Sequence, residues 1–175
     1  MNRPTSAALA LGLVAGVLGP ETAWAQEPDA MATTTPFVQS KATDAAGHVS
    51  YRVGAVFASQ KAAERRLSLT FICEPGGKAV SLYIVHTQAP RDPRSPPKAL
   101  AKIDAQPLQP IDVTRETGSA LAAYTDKNSG QVKSLMAQMG AGQTLVLTLD
   151  DDSYRVSLDG LAKELKDLAS VCPYT

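Results

Sequence analysis

QVKSLMAQMGAGQTLVLTLDDDSYRVSLDGLAKELKDLASVC, residues 131–172, is the stretch that decides the fold. Val132, Leu135, Met136 and Met139 recur at helical spacing behind Ser129, a good N-cap, so a first helix is expected, ended at Gly140 by a left-handed residue. From Thr144 the period changes to two. Leu145, Leu147 and Leu149 alternate with Thr144, Val146 and Thr148, and after Asp150-Asp151-Asp152 the return strand sets Tyr154, Val156 and Leu158 against Ser153, Arg155 and Ser157. Asp159 offers an N-cap for a second helix, whose Leu161, Leu165, Leu168 and Cys172 fall on one stripe.

The stripe aims Cys172 at the core. An independent pattern does the same for Cys73. Leu67, Leu69, Phe71 and Cys73 share one face of a strand, with Ser68, Thr70 and Ile72 on the other. Two cysteines with no Cys-x-x-Cys or Cys/His cluster around them most simply form one disulfide, Cys73–Cys172. Closing so long a loop stabilises a fold by roughly 4–5 kcal/mol on the chain-entropy account.

Outward from these elements, Glu74-Pro-Gly-Gly-Lys78 is a turn, and Val80, Leu82, Ile84 and His86 line one face of the partner strand. His86 ends that face and reads as a rim residue with one hydrogen bond. Val49, Tyr51 and Val53 form an earlier strand that Gly54 interrupts, which suggests a bulge or bend before Val56-Phe57. Lys61-Ala-Ala-Glu-Arg-Arg66 is a polar connector, and His48 is a solvated loop residue. Short strands are expected at 101–105, 111–114 and 119–125.

The first 25 residues read as a signal peptide: Arg3, an apolar run over 7–19, and Ala23-Trp24-Ala25 before the cleavage point. Gln26, not a cysteine, stands directly after that point, where a lipid anchor would require a cysteine. The expected organisation is therefore 1–25 signal peptide, 26–48 flexible N-terminal segment and 49–175 a single α+β domain. The fold class is an antiparallel β-sheet or a small two-sheet sandwich with the C-terminal helix packed on it. Oxidising export, periplasmic or secreted, suits the disulfide.

Seventeen basic and seventeen acidic residues balance, and losing Arg3 and Glu21 with the signal keeps the charge at zero. A neutral chain has no electrostatic pull toward nucleic acid, and no membrane span is expected after signal cleavage. Gly-x-Ser-x-Gly, His-Glu-x-x-His and phosphate- or dinucleotide-binding glycine loops are absent from the sequence. No catalytic residue, metal ligand or cofactor is assigned. Asp150-Asp151-Asp152 lacks the alternation of a calcium loop and reads as a turn.

The irregular part of the chain is 88–98, where Pro90, Pro93, Pro96 and Pro97 stand among Arg91, Asp92, Arg94 and Lys98. Prolines at that density exclude a central strand and give an extended polyproline II loop. Such a loop costs less to order on binding, so Pro90, Arg91, Arg94, Pro96 and Pro97 are the candidate contact for an envelope protein partner, against the alternative of a stiff connector.

Leu135-Met-Ala-Gln-Met-Gly140, Thr144-Leu-Val-Leu-Thr-Leu149 and Val156-Ser-Leu-Asp-Gly160 followed by a helix resemble the closing segment of the invasion-associated locus B family of bacterial exported proteins. A similar ending occurs in some small periplasmic proteins attached to type VI secretion systems. The resemblance covers about a quarter of the chain. Leu161 stands where that family often has an aromatic, and the family's N-terminal Trp and paired cysteines have no counterpart. It implies a periplasmic or surface β-rich domain and carries over no catalytic residues. The functional expectation is an exported, non-enzymatic binding or accessory protein; the alternatives are a periplasmic hydrolase with a carboxylate-based site and a structural envelope component.

Overall fold

The computed structural model describes residues 28–62, 64–73, 79–87, 96–116, 120–150 and 152–172, with 122–129 described by their backbone alone. The expected signal peptide, and Pro90, Arg91 and Arg94 of the proline loop, lie outside the described residues.

Ten strands and two helices follow in the order β1 (Asp29–Thr43), β2 (Val49–Ser59), β3 (Arg66–Cys73), β4 (Val80–His86), β5 (Ala99–Ile103), β6 (Gln109–Ile111), β7 (Thr114–Arg115), β8 (Ala120–Tyr124), α1 (Thr125–Ala141), β9 (Thr144–Leu149), β10 (Asp152–Ser157) and α2 (Leu161–Val171). They form one sheet in the order β6-β5-β9-β10-β1-β2-β3-β4-β8-β7. Every pair is antiparallel except β1 with β10. The sheet is thus mixed, where an antiparallel sheet or a small two-sheet sandwich was expected.

The connectivity bends the sheet on itself. β6 and β7 stand at its two ends, yet only Asp112 and Val113 separate them in sequence. Three Cα–Cα steps span at most about 11 Å, so the two edges must come close. The same curvature brings the His86 ring of β4 to within 6.4 Å of the Tyr154 ring of β10, four places away in the strand order.

The largest correction concerns β1. The expected flexible segment 26–48 contains a strand of fifteen residues, Asp29–Thr43. Along it only Asp29, Met31 and Phe37 are buried, so the alternation that marks a half-buried strand is missing. Backbone pairing holds it instead: Asp29 and Ala30 pair with Tyr154 and Arg155, and from Met31 onward the strand pairs with β2. Its register shifts between Thr35 and Val38, beside Pro36, which has no N–H to give the ladder. Phe37 then packs edge-on against Phe57, ring centroids 5.9 Å apart.

β2 is correspondingly unbroken at Gly54. Its pairing with β3 runs without a shift from Tyr51 to Ala58. A Cβ at Gly54 would lie 2.7 Å from Thr70 Oγ1, so this glycine permits close approach of β3, while the irregularity expected here falls on the β1 side, where the register shifts between the partners of Val56 and Gly54.

The β3–β4 hairpin forms as its periodicity predicts, with Leu67, Leu69, Phe71, Cys73, Val80, Leu82 and Ile84 buried. β8 pairs with β4, while the strands expected at 101–105 and 111–114 lie two residues earlier as β5 and β6. α1 begins before Ser129 and runs through Gly140 to Ala141, so the expected left-handed stop at Gly140 is absent. The chain beyond it is held by Asp104 at the end of β5, whose carboxylate accepts the N–H groups of Gln143 and Thr144. α2 also starts differently: Gly160, at φ 84°, occupies the N-cap, and Asp159 does not cap the helix.

Leu161, Leu165 and Leu168 of α2 are buried against β1, β2 and α1, and Cys172 reaches Cys73 in the disulfide expected from the two periodicities. Among the described residues no helix is long and apolar enough to cross a membrane.

Candidate functional site

A cleft of about 210 Å³ opens where β1 joins β10, lined by Asp29, Lys61, Ala62, Arg65, Asp152, Ser153 and Tyr154. The first residues of β1 and β10 supply its floor, since Asp29 sits opposite Tyr154 in the one parallel pairing. The turn leading from β2 to β3 supplies its rim.

Ser59 builds that rim. Its hydroxyl donates to Asp29 Oδ1 at 2.9 Å and accepts the N–H groups of Lys61 and Ala62, each at 3.0 Å. One side chain therefore shapes the turn and anchors a carboxylate thirty residues away, with all its hydrogen-bonding capacity used. Ser59 N–H donates to Arg65 O, and Gln60 N–H to Ala30 O, stitching the turn across β1.

Asp29 is 93% buried by this arrangement, at 7% exposure. Its second oxygen, Oδ2, has no hydrogen-bond partner. The Arg65 guanidinium faces it at 3.8 Å, close enough to balance charge and too far for a hydrogen bond. Tyr154, only 1% exposed, has its phenol pushed up to about 12, first by burial, then by the Asp152 carboxylate, with Asp29 adding and Arg65 opposing. The cleft is thus dressed with two acids and two bases around a buried phenol.

Behind Tyr154 lies a second polar group. His86 is 3% exposed and neither ring nitrogen has a hydrogen-bond partner, so it is a buried residue where a hydrogen-bonded rim residue was expected. Desolvation pushes its pKa down; the Asp150 and Asp152 charges pull it back up and Arg115 adds to the fall. The sheet's curvature explains the burial, because it closes β10 over the end of β4. Arg115 of β7 approaches Asp150 Oδ2 at 3.5 Å, and its Nε and Nη1 are buried without partners.

Asp150 also ties in the far foot of the proline loop: it accepts from Lys98 N–H and donates its own N–H to Lys98 O. The near foot is Thr87, whose hydroxyl accepts from Arg66 N–H and donates to Glu64 O. Both feet stand at the cleft end of the sheet. Pro96 is exposed and Pro97 half-buried, and neither lines the cleft.

His48 stays in its exposed turn, paired with Asp44 at 2.9 Å. The backbone N–H of His48 is the main cause holding the Asp44 carboxyl below its ordinary value. Among the described residues no three His, Cys, Asp or Glu side chains are placed to hold a metal ion.

Sequence reasoning missed Asp29, Ser59, Arg65, Asp152 and Tyr154 as one site. They come from three separated segments, and Asp29 lies where the sequence looks unstructured. The available signal was modest: Ser59 two and three residues ahead of a turn's N–H groups is a turn-forming hydroxyl pattern.

No family model, no curated protein and no solved structure matches this chain.

Proposed function

We propose that this protein is an exported binding domain, working in the periplasm or at the cell surface, whose site is the cleft between β1 and β10. The observation that carries the reading is the Asp29 carboxylate, held by Ser59 at a cavity wall with one oxygen left without a donor. Native proteins rarely leave a buried acceptor unpaired, and a ligand that supplies the donor gains what the fold forgoes. The apolar start of the sequence supports export, as does a disulfide in a two-cysteine chain. The resemblance of residues 135–160 to invasion-associated locus B proteins agrees with such a location.

The low-mass fraction of an envelope extract should raise the Tm of the wild-type protein, and raise it less for Lys61→Ala, since a ligand that binds only the folded state stabilises it. An unchanged Tm in both would defeat the binding reading.

A second reading has one observation in its favour. Asp29 and Asp152 line the same cleft, and two carboxylates are the minimum equipment of a hydrolase that works by acid and base. Turnover of cell-wall fragments lost in Asp152→Asn would support it; binding without turnover supports the first reading.

A further inference from the structure

We infer that the cleft takes a small zwitterion, a molecule carrying an ammonium and an acidic group a few bonds apart, as a free amino acid or a short peptide does. This rests on the cleft being a binding site and goes on to name its ligand class.

The inference follows from charge, size and the distribution of unmet hydrogen bonds. Asp29 Oδ2 lacks a donor, and the group it needs is an N–H, best a charged one. Arg65 faces that oxygen at 3.8 Å without bonding it, and with 37% of its side chain exposed it has room to give way. An ammonium is small enough to enter beside it. At the rim, the exposed Lys61 lines the cleft, and among the described residues its ammonium makes no ion pair. That is the place for the acidic end.

Single-charge ligands suit the cleft poorly. A simple anion would meet Asp29 and Asp152; a simple cation would meet Lys61 and Arg65. A divalent metal ion would bring two positive charges against the Arg65 guanidinium with no acidic group of its own to offset them. A ligand with separated charges of both signs avoids these conflicts. The cleft volume is about 210 Å³. That admits an amino acid or the end of a peptide and falls below the ~300 Å³ at which drug-sized pockets begin.

The test is a titration of the oxidised full-length protein followed by amide NMR, with glycine, glycylglycine, methylammonium chloride and sodium acetate at matched ionic strength. Glycine or glycylglycine is expected to move the amide signals of Ala62, Ser153 and Tyr154 saturably, with methylammonium and acetate each at least tenfold weaker. Asp29→Asn should weaken glycine binding about tenfold or more, the loss of one hydrogen bond to a charged group. If Asp29→Asn does not fold, Lys61→Ala decides: it changes an exposed side chain and should bring glycine down toward the affinity of methylammonium. Acetate or methylammonium binding as tightly as glycine, with the same amides moving, would overturn the zwitterion and leave the cleft as a site. Silence from all four probes together with an unchanged Tm in the envelope fraction would remove both.

Discussion

The two ends of the β3–β4 hairpin are built on opposite principles. At one end Cys73 sits opposite Val80, and the Cys172 bond fastens α2 to the sheet. At the other, about six strand residues or 20 Å away, Leu67 sits opposite His86, which is buried with two unpaired nitrogens behind Tyr154 and the Asp29 cleft. The disulfide end is apolar and covalently closed. The cleft end gathers Asp29, Arg65, Arg115, Asp150, Asp152 and His86, with polar atoms left short of partners. The contrast teaches where this fold keeps its stability and where it can respond. A region with unmet hydrogen bonds is the one a ligand or a proton can change at low cost.

Breaking the disulfide tests the first half of the comparison and should have the largest effect. Cys73→Ala with Cys172→Ala is expected to lower unfolding stability by roughly 4–5 kcal/mol, because it frees a loop of about a hundred residues in the unfolded chain. Urea titration of the oxidised protein and the double variant checks this. Because the bond is far from Asp29, ligand binding by whatever fraction remains folded should keep its affinity.

Ser59→Ala strikes the second half. It removes the donor to Asp29 Oδ1 and the acceptor for two N–H groups at once. The expected loss is about 1–3 kcal/mol, the cost of leaving buried polar groups unsatisfied. Thermal unfolding measures it, and a change well under that range would mean that water replaces the hydroxyl.

These two residues also mark how far the sequence could be read. Cys73 lies on a face that alternates cleanly, so its burial and its partner followed from spacing. Ser59 lies at a strand end beside a charged turn, and nothing local ties it to Asp29 thirty residues earlier. β1 shows why: most of its side chains face solvent, so its strand character comes from backbone pairing, with β10 at Asp29 and Ala30 and with β2 beyond, which leaves no apolar period. His86 was legible as the last inward position of β4, while its burial needed β10 to close over it.

The smallest effect sharpens the comparison through pH. His86 has its pKa depressed in the folded state, chiefly by desolvation, while Asp150 and Asp152 oppose the fall and Arg115 deepens it. Above the ordinary histidine value, about 6.5, neither folded nor unfolded chain is protonated there and His86 adds no pH dependence. As pH falls below that value the unfolded chain takes up a proton that the native state resists. Stability therefore drops with falling pH until the folded value is passed, then levels off. In His86→Leu this component should vanish, with stability at neutral pH changed by less than about 1 kcal/mol, since an apolar group replaces one with unmet hydrogen bonds. Urea titrations between neutral and mildly acidic pH compare the two. Parallel loss in both proteins would show that the acid sensitivity lies elsewhere at this end.

What the sequence by itself determined is the set of elements whose side chains alternate or spiral: β3, β4, β9, β10, the apolar faces of both helices, and through them the Cys73–Cys172 bond. Those patterns are local, because burial of one face imposes a period on the residues that carry it. Only the tertiary structure decided that β1 runs parallel to β10, that the sheet curls until its edge strands, two residues apart in sequence, come close, and that Asp29, Arg65, Asp152 and Tyr154 share a cleft. Backbone pairing and sheet curvature leave no period in the side chains, and a site assembled from three distant segments has no spacing to read.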